Sequence, residues 1–215
     1  MAQGFICARN SMVKVGIIDY GLANIRSVVN AVLCFNVETL IIDTGEDLKK
    51  VDKIILPGVG SFDAGMRGLQ KRGHVEAIKD LVLEQGKPFL GICLGLQFLF
   101  QGSEEGNEQG LGWFPGTCRR FPAGSANLKV PHMGWSDIEV VMPASRFLAE
   151  LRPPLTFYFV HSYYAPVGGF TAASCHYGLE FTAVLEHENI FATQFHPEKS
   201  QLAGMKLLET FLEGL

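Results

Sequence analysis

Four short runs between residues 13 and 93 constrain the fold most, because each is apolar nearly throughout and not only at alternate positions. They are Val13 to Asp19, Val37 to Asp43, Lys53 to Leu56, and the KPFLGIC segment at 87–93. A strand with one wet face alternates polar and apolar residues. One that is apolar on both faces must be covered on both, which is the condition of a parallel sheet between two helical layers. The segments between the runs supply the helices: Ile25, Val28, Val29, Val32 and Leu33 recur at helical spacing within 24–35, and 61–72 and 74–85 read as helices too. At 215 residues and 47% apolar content, the chain is sized for one such core with a modest elaboration.

Beyond a Gly/Glu-rich loop at 101–112 the pattern changes. β-rich pieces at 118–121, 127–141, 156–165, 170–176, 181–186 and 190–195 are expected to form hairpins that extend the sheet. Ser200 is placed to cap a closing helix, with Leu202, Met205, Leu208, Leu212 and Leu215 on its apolar side. The expected architecture is α/β in three layers, α/β/α, with a central mostly parallel sheet extended by antiparallel strands. Residues 1–11 precede Met12 and the first strand and read as an N-terminal extension, leaving 12–215 as a single domain.

Charge narrows the function. The formal net charge is −4, from 18 Lys plus Arg against 22 Asp plus Glu, with no basic run beyond pairs such as Lys49-Lys50 and Arg119-Arg120. Nucleic-acid binding needs a concentrated positive face, so that class is not expected. Residues 1–10 lack the long apolar core of a signal peptide, and no run approaches the roughly 20 apolar residues of a membrane span. A cytoplasmic protein is expected, with no membrane contact. The cysteines at 7, 34, 93, 118 and 175 are odd in number and show no metal-ligand spacing, which favours neither a disulfide framework nor a metal site.

Three strand ends carry the chemistry. Gly91-Ile92-Cys93-Leu94-Gly95 has the G-x-nucleophile-x-G spacing of a nucleophile elbow, with an apolar strand before it and an apolar helix after it. The N-terminus of that helix favours a thiolate at Cys93, and the Leu94 N–H would face a developing oxyanion. Taken alone, the spacing fits a core cysteine between packing glycines equally well. At the last strand, Phe195-His196-Pro197-Glu198-Lys199-Ser200 puts a carboxylate two residues from an imidazole, and in extended chain the two side chains face the same way. Glu198 can then hold one nitrogen of His196 and leave the other for the thiol, completing a Cys-His-carboxylate triad; a surface turn is the plainer reading of the tripeptide alone. Pro57-Gly58-Val59-Gly60 ends the third apolar run, where Val59 or Gly60 could supply a second oxyanion donor. In a parallel sheet ligands bind at the carboxyl ends of strands, and all three segments lie there.

PGVGSF, GICLGLQ and FHPEKS, in this order and at these separations, resemble the class I, triad-type glutamine amidotransferases. Within that class IDYGLANIRSV near the start, VPHMGW at 130–135 and FVHSYYA at 159–165 are similar to the glutaminase subunit of imidazole glycerol phosphate synthase. The resemblance covers nearly all of 13–215 and implies a flavodoxin-like fold, hydrolysis of L-glutamine to glutamate and ammonia, no cofactor, and a heterodimer with a cyclase or other synthase subunit that receives the ammonia. It implies Cys93 as nucleophile, His196 as base and Glu198 as its orienter. Gly58, Gln97, Ser162 and Tyr163 would bind glutamine, and Met133, Trp135 and Lys199 would meet the partner. His161, beside the glutamine-binding pair, reads as structural. The chain departs from the family pattern in having Ala23 before Asn24, where Gly-Asn is common, and Ser136 after the MGW, where Asn is common. Other readings of the same residues are a glutaminase serving another synthase such as a sugar-amidating one, a stand-alone γ-glutamyl hydrolase, and a non-catalytic protein with a reactive thiol.

Overall fold

The four apolar runs become four neighbouring parallel strands. The computed structural model describes residues 12–22, 24–122 and 128–215; the 1–11 extension, Ala23 and the first residue of the 127–141 run lie outside them. The first half runs β1 (Lys14–Ile18), α1 (Ile25–Val32), β2 (Glu38–Ile42), β3 (Lys53–Gly58), α2 (Phe62–Lys71), α3 (His74–Lys79), β4 (Phe89–Cys93) and α4 (Leu94–Gln97). The second half runs β5 (Gly102–Ser103), β6 (Thr117–Arg120), β7 (His132–Asp137), β8 (Glu139–Val140), β9 (Thr156–His161), β10 (Tyr163–Tyr164), β11 (Thr171–His176), β12 (Glu180–His187), β13 (Ile190–Thr193) and α5 (Gln201–Glu209). The main sheet has the order β2-β1-β3-β4-β13-β12-β11-β8, parallel from β2 to β13 and antiparallel beyond.

Both faces are dry over the central strands β1, β3 and β4, as their unbroken apolar runs require, whereas on the edge strand β2 Ile41 is exposed. Val15, Ile17, Ile55, Leu90 and Ile92 pack on one side with Val28 and Val32 of α1 and Leu207 and Leu208 of α5. Ile18, Ile54, Leu56 and Phe89 face the other side with Phe62, Met66 and Leu69 of α2 and Ile78 of α3. Each such side chain contributes roughly 1.5–3 kcal/mol on burial. Among the described residues, no helix is long and apolar enough to cross a membrane.

Four local expectations are corrected. Only β8, β11 and β12 extend the main sheet as antiparallel strands; β7 pairs with β9, and β5, β6 and β10 form a third small sheet. The 127–141 run divides at Ile138, whose N–H bonds Leu155 O and whose side chain turns into the core, so β7 and β8 join different sheets. Ser200 stands at the N-cap position without capping: its hydroxyl donates to His196 O (2.6 Å) and accepts the Tyr158 N–H (3.0 Å), tying the 196–200 segment to β9. Leu202, expected on the apolar side of α5, is 87% exposed, because a helix starting at Gln201 turns Gly204, Leu207 and Leu208 inward instead.

Candidate active site

No residue separates β4 from α4, so the chain reverses direction at Cys93 itself. Cys93 takes φ 56°, ψ −105°, a region costing non-glycine residues on the order of 1–3 kcal/mol. The surrounding glycines are what allow so sharp a turn. A Cβ on Gly91 would lie 2.8 Å from Gly95 O, one on Gly95 2.0 Å from Leu56 O, and one on Gly58 2.6 Å from the Leu94 Cβ. Gly58 pairs with Cys93 across β3 and β4 and is buried beneath the elbow, away from the lining of the cleft described below. Its being glycine is a steric requirement of the elbow above it.

His196 emerges from the end of β13, its N–H bonded to Tyr158 O (3.0 Å). Its Nδ1 lies 2.8 Å from Glu198 Oε1, with both side chains almost wholly buried. Pro197–Lys199 form a single 3₁₀ turn, so Glu198 reaches the ring by that turn and not by extended-chain alternation. Since the carboxylate accepts at Nδ1, that nitrogen carries the proton and Nε2 is left free. Nε2 is buried with no hydrogen-bond partner of ordinary geometry, and Cys93 is the group beside it. Burial opposes charge on the ring, but Cys93 and Glu198 outweigh it and raise the His196 pKa to about 10. The ring is therefore charged at neutral pH, with the Cys93 sulfur beside it.

The two residues border a cleft of about 380 Å³, lined also by Val59, Gly60, Leu94, Gln97, Ser162, Tyr163 and Lys199. The Leu94 N–H opens α4, where no helical acceptor exists for it. Gly60, at φ 94°, stands opposite at the mouth of the β3–α2 turn. Glu198 lies behind His196. Met133 and Trp135 are outside the cleft, 59% and 48% exposed on β7, and pair with Val160 and Tyr158 of β9. The first-half strand ends and the 159–163 segment thus meet at one cleft, the proximity that the family resemblance implied for Ser162 and Tyr163.

Several residues at the site were not singled out from sequence. Glu105, from the Gly/Glu-rich loop, lines the cleft and accepts the Phe62 N–H at the start of α2 (2.8 Å). Tyr20 is buried with its hydroxyl unpartnered and facing the Gly58 to Val59 backbone; burial, then the Cys93 charge, push its pKa up, which keeps the phenol protonated. Gln194 sits fully buried between Gln97 and Cys93. Its position two residues before His196 is the signal that could have flagged Gln194, and nothing local distinguishes Glu105 from its acidic neighbours.

His161 belongs to a buried polar chain. Its Nδ1 donates to Tyr163 O (2.8 Å), so its Nε2 accepts from His132 Nδ1 (3.2 Å), and His132 Nε2 accepts from the Ser136 hydroxyl (2.8 Å). His132 is also stacked on Tyr177 and Phe159, with ring centroids 3.9 and 4.8 Å away. This chain needs both rings neutral. Burial lowers the His132 pKa to about 4; for His161, burial, only partly offset by the Tyr163 carbonyl, lowers it to about 3. Depressed histidine values mean that the unfolded chain takes up protons first, so stability is full above about pH 6.5 and is lost as pH falls toward 4 and below. Urea midpoints should therefore drop over that window, and His132→Gln should flatten the drop; an equal slope in the variant contradicts the assignment.

The chain matches the family described as glutamine amidotransferase class-I over residues 16–215. It is 44% identical over 200 residues to imidazole glycerol phosphate synthase subunit HisH 1 of Campylobacter jejuni (strain RM1221), covering 92% of this chain and 98% of that one. It is 43% identical over 202 residues to the subunit HisH of Acaryochloris marina (strain MBIC 11017), covering 93% and 94%. Among solved structures it resembles PurLQS from Thermotoga maritima (TM-score 0.73, 18% identity, 94% of this chain and 99% of that one). It also resembles a structure described as glutamine amidotransferase (TM-score 0.68, 19% identity, 94% and 99%). At such identities these two speak for the fold alone.

Proposed function

The chain belongs to the class-I glutamine amidotransferases, and from that membership we propose that it is the glutaminase subunit of an imidazole glycerol phosphate synthase, supplying ammonia to a cyclase partner in histidine biosynthesis. One observation carries the residue assignment: the free, buried Nε2 of His196 beside Cys93, with Glu198 holding the far side of the ring. The Cys93 thiolate attacks the side-chain carboxamide of glutamine. The resulting oxyanion takes hydrogen bonds from the Leu94 N–H and from Val59 or Gly60. Protonated His196 gives its proton to the departing nitrogen, which leaves as ammonia, and the γ-glutamyl thioester remains. Neutral His196 then takes a proton from water as it attacks the thioester, and the sulfur departs as thiolate with glutamate as product. Glu198 keeps the ring in the required tautomer throughout.

The cleft supports glutamine as the acyl donor. Its acidic lining residue, Glu105, suits the α-ammonium, while Gln97, Ser162 and Tyr163 border the same space. Glu105→Gln keeps an acceptor for the Phe62 N–H but removes the charge. A hydrogen bond to a charged group contributes roughly 1.5–3 kcal/mol, so KM for glutamine should rise about tenfold to a hundredfold with kcat changed little. A fall in kcat at constant KM would count against this role.

Ammonia released into neutral water is mostly protonated and no longer nucleophilic, so direct docking on the acceptor subunit protects it. Met133 and Trp135 form an exposed apolar face whose cross-strand neighbour Val160, with exposed Lys199, borders the cleft. This face fits a partner that seals the cleft mouth in a heterodimer. Glutaminase turnover measured with the chain alone and with a cyclase subunit added tests the reading. Turnover should rise on mixing, and Trp135→Ala should weaken the complex by about 2 kcal/mol or more, as loss of a central aromatic anchor does. Full activity alone, unmoved by the cyclase, would favour a stand-alone hydrolase.

A further inference from the structure

Gln194 follows β13 and has no part in the mechanism so far. Its side chain is fully buried, and its neighbours determine which way round the amide sits. Tyr163 O is a carbonyl and can only accept, so Gln97 presents Nε2 to it (2.9 Å). The second N–H of the same nitrogen reaches Gln194 at 3.2 Å, and Gln194 must therefore offer Oε1 there. Its own Nε2 is thereby aimed at Cys93 Sγ, 3.7 Å away, an ordinary N–H to sulfur distance. Parallel pairing sets this up: Thr193 lies opposite Ile92, so the next residue of each strand comes side by side. The Gln194 N–H bonds Ala183 O (2.9 Å) and holds the residue from the other side.

A buried amide N–H that lacks an acceptor costs about 1–3 kcal/mol, and a thiolate accepts far better than a thiol. We propose that Gln194 is a catalytic residue, the second donor to the Cys93 thiolate beside His196, and that it stabilises the sulfur both before attack and when it departs from the thioester. The titratable groups facing this sulfur are His196 with Glu198 behind it, Tyr20 beneath, and His161 across the cleft. Tyr20 also stays neutral and protonated, but its hydroxyl faces the Gly58 to Val59 backbone, whereas the Gln194 amide is aimed at the sulfur. The proposal rests on Cys93 being the nucleophile.

The test is the pH dependence of Cys93 alkylation by iodoacetamide in the full chain, read on the Cys93 peptide by mass spectrometry because Cys34 is exposed and also reacts. In the unaltered protein the reactive form should persist well below the free-thiol pKa of about 8.5. Gln194→Met keeps the length of the side chain and removes the donor. It should move the acid limb of the alkylation profile up by about one pH unit and lower kcat/KM for glutamine about tenfold, with KM changed less. Gln194→Glu, which sets a carboxylate against the sulfur, should move the limb further and serves if the methionine variant does not fold. An unmoved acid limb in a folded variant, even with lower activity, would leave Gln194 a packing residue and overturn the proposal. A Cys93 that already reacts like a free thiol in the unaltered protein would instead remove the nucleophile assignment beneath it.

Discussion

Cys93→Ala is expected to lower glutamine hydrolysis by roughly four or more orders of magnitude, the scale on which loss of a nucleophile acts in other triads. The fold should persist, because the side chain is small and the turn is set by its glycine neighbours. A companion variant separates catalysis from stability. Cys93 holds φ 56°, where glycine is unstrained, so Cys93→Gly should be equally inactive yet unfold no earlier than the unaltered chain, relief of about 1–3 kcal/mol of strain offsetting the lost contacts. Near-normal ammonia release from either variant would remove Cys93 from the mechanism. A glycine variant markedly less stable than the alanine one would show that the elbow is not strained.

Gly95→Ala should be among the most damaging single-methyl additions in the chain. The new Cβ would sit 2.0 Å from Leu56 O, a backbone atom of the central sheet, so α4 must lift off β3 and carry the Leu94 N–H with it. Overpacking of this kind costs about 1–3 kcal/mol and more where backbone has to move. Both thermal stability and turnover should fall. Gly169→Ala is the matched control, since a Cβ there meets nothing within 4 Å. If the two variants melted together, the close packing of α4 on β3 would be disproved.

The contrast between Gly95 and Glu105 shows what sequence made legible. The elbow could be read because its constraint is local: adjacent strand and helix leave room for no side chain at either flank, and the glycine spacing records that. The parallel half of the sheet was legible for the same kind of reason, through apolar runs with no polar alternation. His196 and Glu198 were legible as a pair two residues apart, although a 3₁₀ turn and not an extended strand brings them together. Non-local features were not legible. The partition of β5, β6, β7, β9 and β10 into two small sheets depends on pairings tens of residues apart, and Ser200 looked like a cap because its acceptor and donor, His196 O and Tyr158 N–H, are set by the tertiary fold. Glu105 at the cleft and Tyr20 and Gln194 near the Cys93 sulfur come from separate segments, and only the assembled fold brings them to one site.

The claim that joins these parts is that Cys93 carries the glutamyl group between two half-reactions. Acid quenching of the cyclase-bound chain during steady-state turnover of glutamine, followed by mass spectrometry of the Cys93 peptide, tests it most directly. A γ-glutamyl adduct on Cys93 is expected, absent without glutamine and absent in His196→Asn. Turnover that proceeds at full rate with Cys93 alkylated beforehand, or an adduct on another residue, would contradict it.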